Sequence, residues 1–518
     1  MNSCLQRFSY RLIGWSLLIA LIQNCGLIRH SQDERFSEYE YIGKVNPKES
    51  KDIESSQWGI QMGTLEEEAI RIASTLGVKW TRLQASWSSI EKEKGKFDFS
   101  RTDSAFASAL DNGITPFVTI GGSNKAYTGE YIPEDPKLTE IYGIRPAPPT
   151  VSEEALESWL FFVDTTVNRY KDQIQYWEVW NEPNHFAYWG GPPDGKEYGR
   201  LLYATAKLIR ELQPDAKILG GSMAGLDPEF TEDFLSLGTG PLLDIITYHH
   251  YGIIPENRIY PAVATWEIIN RYNPKIEMWQ GECGYPSHSS TSGYRSMSPW
   301  GLNIQAKWLL RQSFTDIYFC NASMSNYFKL VHRGDYSKKQ PRSFMTSVDS
   351  VLGVPERAGS RVRFEGVNEK CLISHDEWEP KPAFYAYQNL CAVLDHRYKT
   401  IATSAKIDIE ASGVFSGIGP NDDAFPSIPL LASFQTNDGK TLFAYWLPWQ
   451  SQEYLSEFAV VSLSAKDIDF KEPVLINPLS GEVFKVEFMI DEDELRINNL
   501  PLADFPFIIA EREEIDVR

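Results

Sequence analysis

From residue 57 to about residue 395, short apolar runs rich in β-branched and aromatic residues alternate with longer segments of helical spacing. The short runs predict strands at 57–63, 78–83, 114–120, 174–179, 217–221, 242–248, 276–280 and 323–330. The helical spacing predicts helices at 65–76, 103–112, 153–170, 198–212 and 303–314. Eight strand–helix steps predict an α/β fold, a closed parallel (β/α)8 barrel.

An open, doubly wound parallel sheet is the competing architecture. Such a sheet is typically marked by Gly-x-Gly-x-x-Gly directly after its first strand. No such run follows residues 57–63, so the barrel is favoured. In a barrel, functional residues are expected at the carboxyl ends of the strands.

Beyond about residue 402 the alternation ends, and strand-like runs separated by turns take over. We predict strands at 430–435, 441–446, 458–463, 473–476, 483–489 and 507–510. Asn437-Asp438-Gly439 indicates a hairpin between the first two. The predicted division is a barrel at 57–395 and an antiparallel β-sandwich at 396–518, for which bracing the barrel is favoured over binding glycan.

At the N-terminus, Arg7 and Arg11 precede an apolar stretch at 12–22 that is short for a membrane span. We interpret residues 1–30 as an export segment and the polar residues 31–56 as a tether. The protein is thus expected in the periplasm, at the cell surface or outside the cell. A lipid anchor at Cys25 is left open, although Gln23 and Asn24 are not the small residues expected before such a cysteine.

The charge and the aromatic content of the chain indicate which kinds of molecule it can bind. The 518-residue chain has a formal net charge of −20, which argues against nucleic acid, because phosphate binding needs clustered Lys and Arg. Aromatic residues make up 13% of the chain and include 15 Trp, which can stack on sugar faces or fill the core. Cys371 and Cys391 are compatible with either a disulfide or two separate buried thiols.

Two glutamates end separate predicted strands. Glu182 lies in Trp180-Asn181-Glu182-Pro183, where Pro183 stops the strand by withholding a backbone donor. Glu282 follows one hundred residues later, after the run at 276–280. Two carboxyl groups across one cleft are the groups that break a glycosidic bond. Glu178 and Glu277 are rival carboxylates, but each lies deeper in its strand, which favours structural pairing.

Several further motifs occur in the same order as in a known group of enzymes, at 76–82, 86–91, 95–99, 180–183, 249–251, 281–282 and 381–387. With these motifs the chain resembles the retaining glycoside hydrolases of clan A, most closely the family that includes β-xylosidases and iduronidases, family 39. The resemblance covers residues 57 to about 395. It departs at 326–328, where Asn-Tyr-Phe stands in place of a tryptophan platform that is common in the resembled enzymes.

The resemblance implies roles for individual residues. Glu182 would be the acid/base and Glu282 the nucleophile, with their carboxyl groups about 5–5.5 Å apart. Arg82 and Tyr251 would keep Glu282 ionised, although a core ion pair is an alternative for Arg82. The remaining expected substrate contacts are Asn181 at the sugar 2-hydroxyl, His249 in the adjoining subsite, and Trp87, Trp189, Trp300 and Phe328 against sugar rings. For Trp279, core packing is favoured.

No metal or other cofactor is expected. His249 and His250 are adjacent, so on a strand they point to opposite faces, and the sequence suggests no third ligand at a suitable spacing. The hypothesis is that the protein is an exported retaining β-glycosidase. Its substrate would be an oligo- or polysaccharide from plants or microbes. Alternatives are an endo-acting β-glucanase of the same clan, a transglycosylase and a non-catalytic carbohydrate-binding surface protein.

Overall fold

The computed structural model describes residues 36–63, 67–251, 254–287, 301–331, 339–340, 363–364, 370–374, 378–411, 428–453 and 458–518. The predicted export segment, with Cys25, and Trp300 lie outside these ranges. Within them, no helix has the length and apolar character needed to cross a membrane.

Eight parallel strands close into a barrel, as predicted. In chain order they are β1 Trp58–Gln61, β2 Trp80–Ser86, β3 Thr115–Gly121, β4 Tyr176–Val179, β5 Lys217–Ala224, β6 Ile245–His249, β7 Glu277–Cys283 and β8 Met324–Phe328. Each strand pairs with its sequence neighbour, and β8 pairs with β1 to close the ring, with Ser325 opposite Trp58. The open-sheet alternative is therefore wrong.

Helices follow most of the barrel strands. They are α1 Glu67–Ser74, α2 Trp87–Ile90, α3 Ser100–Asp111, α4 Lys125–Thr128, α5 Pro136–Tyr142, α6 Glu153–Tyr170, α7 Phe186–Trp189, α8 Gly195–Leu212, α9 Pro228–Phe234, α10 Ile259–Tyr272, α11 Leu302–Phe314 and α12 Pro382–Val393. Polar side chains cap the N-termini of the two longest helices, α6 and α8. Ser152 accepts a hydrogen bond from the backbone of Ala155 at α6, and Asp194 accepts from Lys196 and Glu197 at α8.

Apolar side chains fill the end of the barrel opposite the carboxyl ends of the strands. Trp279 is 4% exposed and packs edge-on against Trp80 and Phe117, with ring centroids 5.0 and 5.9 Å apart. Core packing of Trp279 is confirmed. Glu277 begins β7 at this same end and accepts a hydrogen bond from the Trp279 indole, so it lies away from the Glu282 end of the strand.

The C-terminal region is an antiparallel β-sandwich. Its strands are β9 Lys399–Thr400, β10 Lys406–Ala411, β11 Leu430–Gln435, β12 Thr441–Trp446, β13 Ala459–Lys466, β14 Pro473–Asn477, β15 Glu482–Lys485, β16 Phe488–Asp491, β17 Glu494–Leu502 and β18 Phe507–Glu511. One sheet contains β15, β14, β18, β12, β11 and β9, and the other contains β10, β13, β17 and β16. The run predicted as one strand at 483–489 is thus two strands in different sheets.

The prediction of a tether at 31–56 is wrong for the described residues 36–56. Tyr41–Lys44 forms a strand that pairs with β15 and extends the larger sheet, with Tyr41 opposite Phe484. Phe36 is fully buried and stacks on Phe484 at 4.7 Å between ring centroids. Most residues of this segment are polar, which led to the prediction of a tether. Its few aromatic residues nevertheless bury against the sandwich.

Buried charges join the sandwich to the barrel. Lys307 of α11 pairs with Asp504 at 2.8 Å, and both side chains are nearly inaccessible to solvent. Arg311 of α11 pairs with Glu256 at 2.7 Å, and Glu256 also accepts a hydrogen bond from the Trp446 indole of the sandwich. A buried charge that loses its partner is destabilising, so these pairs specify how the two domains dock.

The described cysteines are free and buried: Cys283, Cys320, Cys371 and Cys391. Of the two alternatives for Cys371 and Cys391, the structure therefore shows separate buried thiols rather than a disulfide.

Candidate active site

Glu182 and Glu282 meet at the carboxyl end of the barrel. Glu182 follows β4 by three residues, and Glu282 is the penultimate residue of β7. A carboxylate oxygen of each, together with a ring nitrogen of His249, all lie within 4.8 Å of one another. Closure of the barrel thus brings together two acids that are one hundred residues apart in sequence.

The backbone at the end of β4 is held in an unusual conformation. Trp180 and Glu182 both have left-handed φ values, 73° and 46°. Such a residue other than glycine costs about 1–3 kcal/mol unless its surroundings fix it. Here the Trp180 N–H donates to Ile120 O and the Glu182 N–H donates to Ser222 O, both at 2.8 Å. Neighbouring strands therefore aim the Glu182 side chain into the site.

Glu282 is surrounded by hydrogen-bond donors. Its Oε2 accepts from Arg82 Nη1 at 3.0 Å and from Gln61 Nε2 at 3.2 Å, and its Oε1 accepts from the Tyr251 hydroxyl at 2.5 Å. Burial alone raises the pKa of the Glu282 carboxyl. The charges of His249 and Arg82 and the Tyr251 hydrogen bond outweigh burial, so the pKa lies below its ordinary value. Glu282 is an ionised carboxylate at neutral pH.

Arg82 links this carboxylate to the barrel interior. Its Nε and Nη2 donate to Glu178 Oε2 at 2.7 and 2.5 Å, while Nη2 also reaches Asn181 Oδ1 at 3.0 Å. Glu178 is fully buried, and despite burial the charge of Arg82 keeps its pKa low. The Thr119 and Thr247 hydroxyls each donate to Glu178 at 2.6 Å. Arg82 thus contacts Glu282 and also forms an ion pair with Glu178 in the core. This pair gives Glu178 a structural role, as the sequence favoured.

Glu182 has a different neighbour. Its Oε1 lies 3.0 Å from His249 Nδ1, and the opposite nitrogen, Nε2, lies 3.4 Å from Ser222 Oγ. Both Glu182 and His249 are buried, at 8% and 1% exposure. The histidine expected in an adjoining subsite therefore touches the proposed acid/base itself. This contact orients the Glu182 carboxyl group.

Two predicted sugar-stacking residues are buried instead. Trp87 is fully buried, stacks on Tyr127 and donates its indole N–H to Glu91 at 2.7 Å. Trp189 is 1% exposed and packs against Trp180 with centroids 5.5 Å apart. The prediction of sugar contact is wrong for both. Each indole is buried in the core and has no exposed face for a sugar ring. Trp300 lies outside the described residues.

Phe328, the last residue of β8, lies at the same end of the barrel as Glu282. Its ring is half-buried and packs edge-on against Tyr251, with centroids 6.1 Å apart. Lys370 Nζ lies 4.2 Å from the centre of the Tyr251 ring and adds positive charge that lowers the pKa of Glu282. The end of β8 therefore contributes a phenylalanine to the cleft at the position where a tryptophan is common in the resembled enzymes.

Glu182, His249 and Glu282 are also spaced closely enough to hold a metal ion. The sequence has no third ligand at a suitable spacing from His249, but closure of the barrel brings Glu182 and Glu282 to it from other parts of the chain. However, the Arg82 guanidinium occupies the side of Glu282 at 3.0 Å, and a fixed positive charge there opposes a second cation. This donor set fits proton transfer between carboxyl groups better than metal binding.

Two further residues of the site, Gln61 and Ser222, are not among those predicted from the sequence. Gln61 ends β1 and donates to Glu282, a position that the strand-end rule for barrels would have indicated. Ser222 accepts a hydrogen bond from Arg82 Nη2 at 2.9 Å and lies within β5 with φ of 48°. No sequence signal marks Ser222, since a left-handed serine inside a predicted strand is not expected.

No protein-family model matches the chain. A β-xylosidase from Geobacillus stearothermophilus is 25% identical over 142 residues, which cover 27% of this chain and 27% of that enzyme. The curated match thus spans little more than a quarter of its length.

Solved structures match far more of the chain. A family 39 glycoside hydrolase from Bacteroides cellulosilyticus WH2 has a TM-score of 0.59 at 17% identity, covering 88% of this chain and 81% of that one. A monomeric β-xylosidase from Caulobacter crescentus CB15 has a TM-score of 0.53 at 15% identity, covering 91% and 97%. A family 30 xylanase from Clostridium acetobutylicum has a TM-score of 0.54 at 12% identity, covering 90% and 97%.

The chain has the fold of the clan A glycoside hydrolases. The similar structures include three described as family 39 enzymes, so the resemblance found in the sequence is confirmed at the level of the fold. The predicted barrel with a C-terminal sandwich is confirmed with it.

Proposed function

We propose that this protein is a retaining β-glycosidase, with Glu182 as acid/base and Glu282 as nucleophile. The observation that carries the proposal is the carboxylate pair, whose oxygens approach within 4.8 Å across the cleft. Retaining enzymes hold their carboxyl groups about 5–5.5 Å apart, whereas inverting enzymes leave about 6.5–9.5 Å for a water molecule.

The different surroundings of the two acids support the assignment of roles. Glu282 accepts hydrogen bonds from Arg82, Gln61 and Tyr251 and is ionised, as a nucleophile must be. Glu182 lies against His249 rather than a guanidinium. The two acids therefore have different surroundings, as a reaction that uses one as proton donor and the other as nucleophile requires.

The reaction takes place in two displacements. Glu282 attacks the anomeric carbon as the bond to the leaving oxygen breaks and Glu182 gives that oxygen its proton. Water then attacks the same carbon, Glu182 takes the proton of the water, and the bond to Glu282 breaks. Asn181 is placed to assist, since its Oδ1 is held by Arg82 and its Nδ2 is left to hydrogen-bond the sugar 2-hydroxyl.

The stereochemistry of the first-formed product tests the proposal. Time-resolved proton NMR of β-glycoside hydrolysis should show the β anomer first, followed by mutarotation. Initial appearance of the α anomer would mean inversion and would rule the double displacement out.

The proposed substrate is an oligo- or polysaccharide of plant or microbial glycans, and the proposed location is outside the cytoplasm. The fold of xylan- and xyloside-cleaving enzymes supports the substrate class. The basic residues Arg7 and Arg11 ahead of the apolar stretch at 12–22 support export. Expression with labelled palmitate, comparing wild type with Cys25→Ala, would decide between a lipid anchor and simple secretion.

A further inference from the structure

Five aromatic side chains form a wall beside Glu182, on the loops that follow β3 and β4. We define the aromatic wall as Tyr131, Tyr142, His185, Phe186 and Tyr188. Tyr142 stacks on Phe186 with ring centroids 4.6 Å apart, and Tyr131 packs edge-on against the same ring at 5.8 Å. The His185 ring lies 5.2 Å from that of Tyr188. These rings contact one another across two loops that are separate in sequence.

The two loops are fixed to each other. Gly190 ends α7 with φ of 90°, and a Cβ there would lie 2.1 Å from the Pro146 carbonyl oxygen. Only glycine permits this approach. The Trp180 indole also donates to Tyr188 O at 3.2 Å, which ties α7 to the end of β4. The aromatic wall is therefore a built surface rather than a set of rings on independent loops.

The aromatic wall lies on the acid/base side of the cleft. The His185 backbone N–H donates to Glu182 O at 2.9 Å, so the part of the wall that follows β4 begins three residues after Glu182. Partial desolvation of the Tyr188 hydroxyl, with the negative charges of Glu182 and Glu282, raises the pKa of Tyr188 to about 12. Burial lowers the pKa of the His185 imidazole, so its ring is neutral at neutral pH. The wall thus offers neutral ring faces close to the reacting groups.

The Tyr188 side chain is the exposed part of this wall. It is 54% exposed, whereas the other four residues of the wall are half-buried. A large exposed aromatic residue beside a catalytic carboxylate is the kind of surface that binds a ligand ring.

We propose that the aromatic wall is the leaving-group subsite and that it holds a second sugar ring, stacked on Tyr188. This inference rests on the proposed function, because the acid that protonates the leaving oxygen must stand on the leaving-group side. A pyranose has an apolar face and a rim of hydroxyls. The wall matches both, with ring faces for stacking and the polar edges of Tyr188 and His185 for hydrogen bonds. The substrate class that follows is a glycan whose leaving group is itself a sugar, rather than an alkyl glycoside.

The test compares leaving groups of different size on Tyr188→Ala. The paired substrates are xylobiose and β-xylopyranosyl fluoride, or the matching disaccharide and fluoride of whichever sugar the wild type cleaves. Fluoride is too small to reach the wall. We expect kcat/KM for the disaccharide to fall about five- to tenfold, as loss of one ring contact implies, with the fluoride unchanged. Tyr188→Phe should retain most of the disaccharide activity if stacking dominates.

Tyr260→Ala is the matched control, since Tyr260 is 86% exposed on α10 and should affect neither substrate. An equal loss on both substrates, or no loss on either, overturns the inference. A third substrate, an aryl glycoside, separates the occupants: a loss confined to the aryl glycoside would mean that the wall takes an aromatic aglycone instead of sugar. Failure of the wild type to cleave even the fluoride would refute the proposed function itself, which is a distinguishable result.

Discussion

The Tyr251 hydroxyl donates a 2.5 Å hydrogen bond to Glu282 Oε1, on the opposite oxygen from the one that Arg82 holds. Both oxygens of the proposed nucleophile are therefore fixed by donors before any substrate arrives. A carboxylate held in this way is oriented for attack and is kept ionised.

Tyr251→Phe should shift the acid limb of activity. The substitution removes a hydrogen bond that lowers the Glu282 pKa, so that pKa should rise towards its ordinary value. Because the ionised form attacks, the acid limb of the pH profile of kcat/KM should move to higher pH. The optimum rate should fall about tenfold or more. Tyr260→Phe serves as control, and an unshifted acid limb in Tyr251→Phe would show that the phenol does not tune the nucleophile.

Glu182→Gln should separate substrates by leaving group. An amide cannot donate the proton that a poor leaving group needs, so disaccharide hydrolysis should fall by about 10²–10⁴. Glycosyl fluoride needs little protonation and should still form the intermediate. Added azide should then accelerate turnover and give the β-glycosyl azide, as mass spectrometry and NMR would detect. Equal losses on both substrates, with no azide product, would remove Glu182 from the acid/base role.

Arg82→Met should destabilise the fold as well as impair the site. It leaves Glu178, whose side chain is fully buried, without its cation, at a cost of about 3–5 kcal/mol. Adding Glu178→Gln removes the stranded charge, so the double variant should recover part of the loss in urea unfolding at pH 7. Similar stabilities for the single and double variants would contradict the ion pair.

The Arg82–Glu178 ion pair also predicts how the stability of the fold depends on pH. The folded-state pKa of Glu178 is lowered, so its contribution is complete above the unfolded-state value of about 4.3 and is lost as pH falls through the folded-state pKa. The double variant, Arg82→Met with Glu178→Gln, should therefore lose less stability than the wild type between neutral and acid pH. Parallel stability curves would contradict this.

Asp504→Asn should loosen the junction of sandwich and barrel. It leaves Lys307, with a side chain 1% exposed, without its ionic partner, which should cost about 3–5 kcal/mol in unfolding. Asp408→Asn in the exposed Lys406–Asp408 pair is the matched control and should have little effect. If both variants unfold like the wild type, the buried pair does not secure the domains.

Much of this fold could be predicted from the sequence because buried parallel strands are continuous apolar runs, and these differ clearly from helical spacing. Glu182 and Glu282 stood out because each ends such a run. What depends on three-dimensional closure could not be predicted. The approach of His249 to Glu182 is set by the barrel, and local sequence does not reveal that Trp87 and Trp189 face inwards. The strand at 41–44 could not be predicted, because the segment around it is polar on average and its few aromatic residues bury only against the sandwich.

The most direct measurement is identification of the residue that carries the covalent intermediate. A 2-fluoro-β-glycoside should inactivate the enzyme, because the fluorine slows breakdown of the glycosyl-enzyme, and peptide mass mapping should place the sugar on Glu282. Glu277→Gln, changed at the other end of the same strand, should label normally, and Glu282→Gln should not label. A sugar found on Glu182, Glu178 or any other residue would contradict the account.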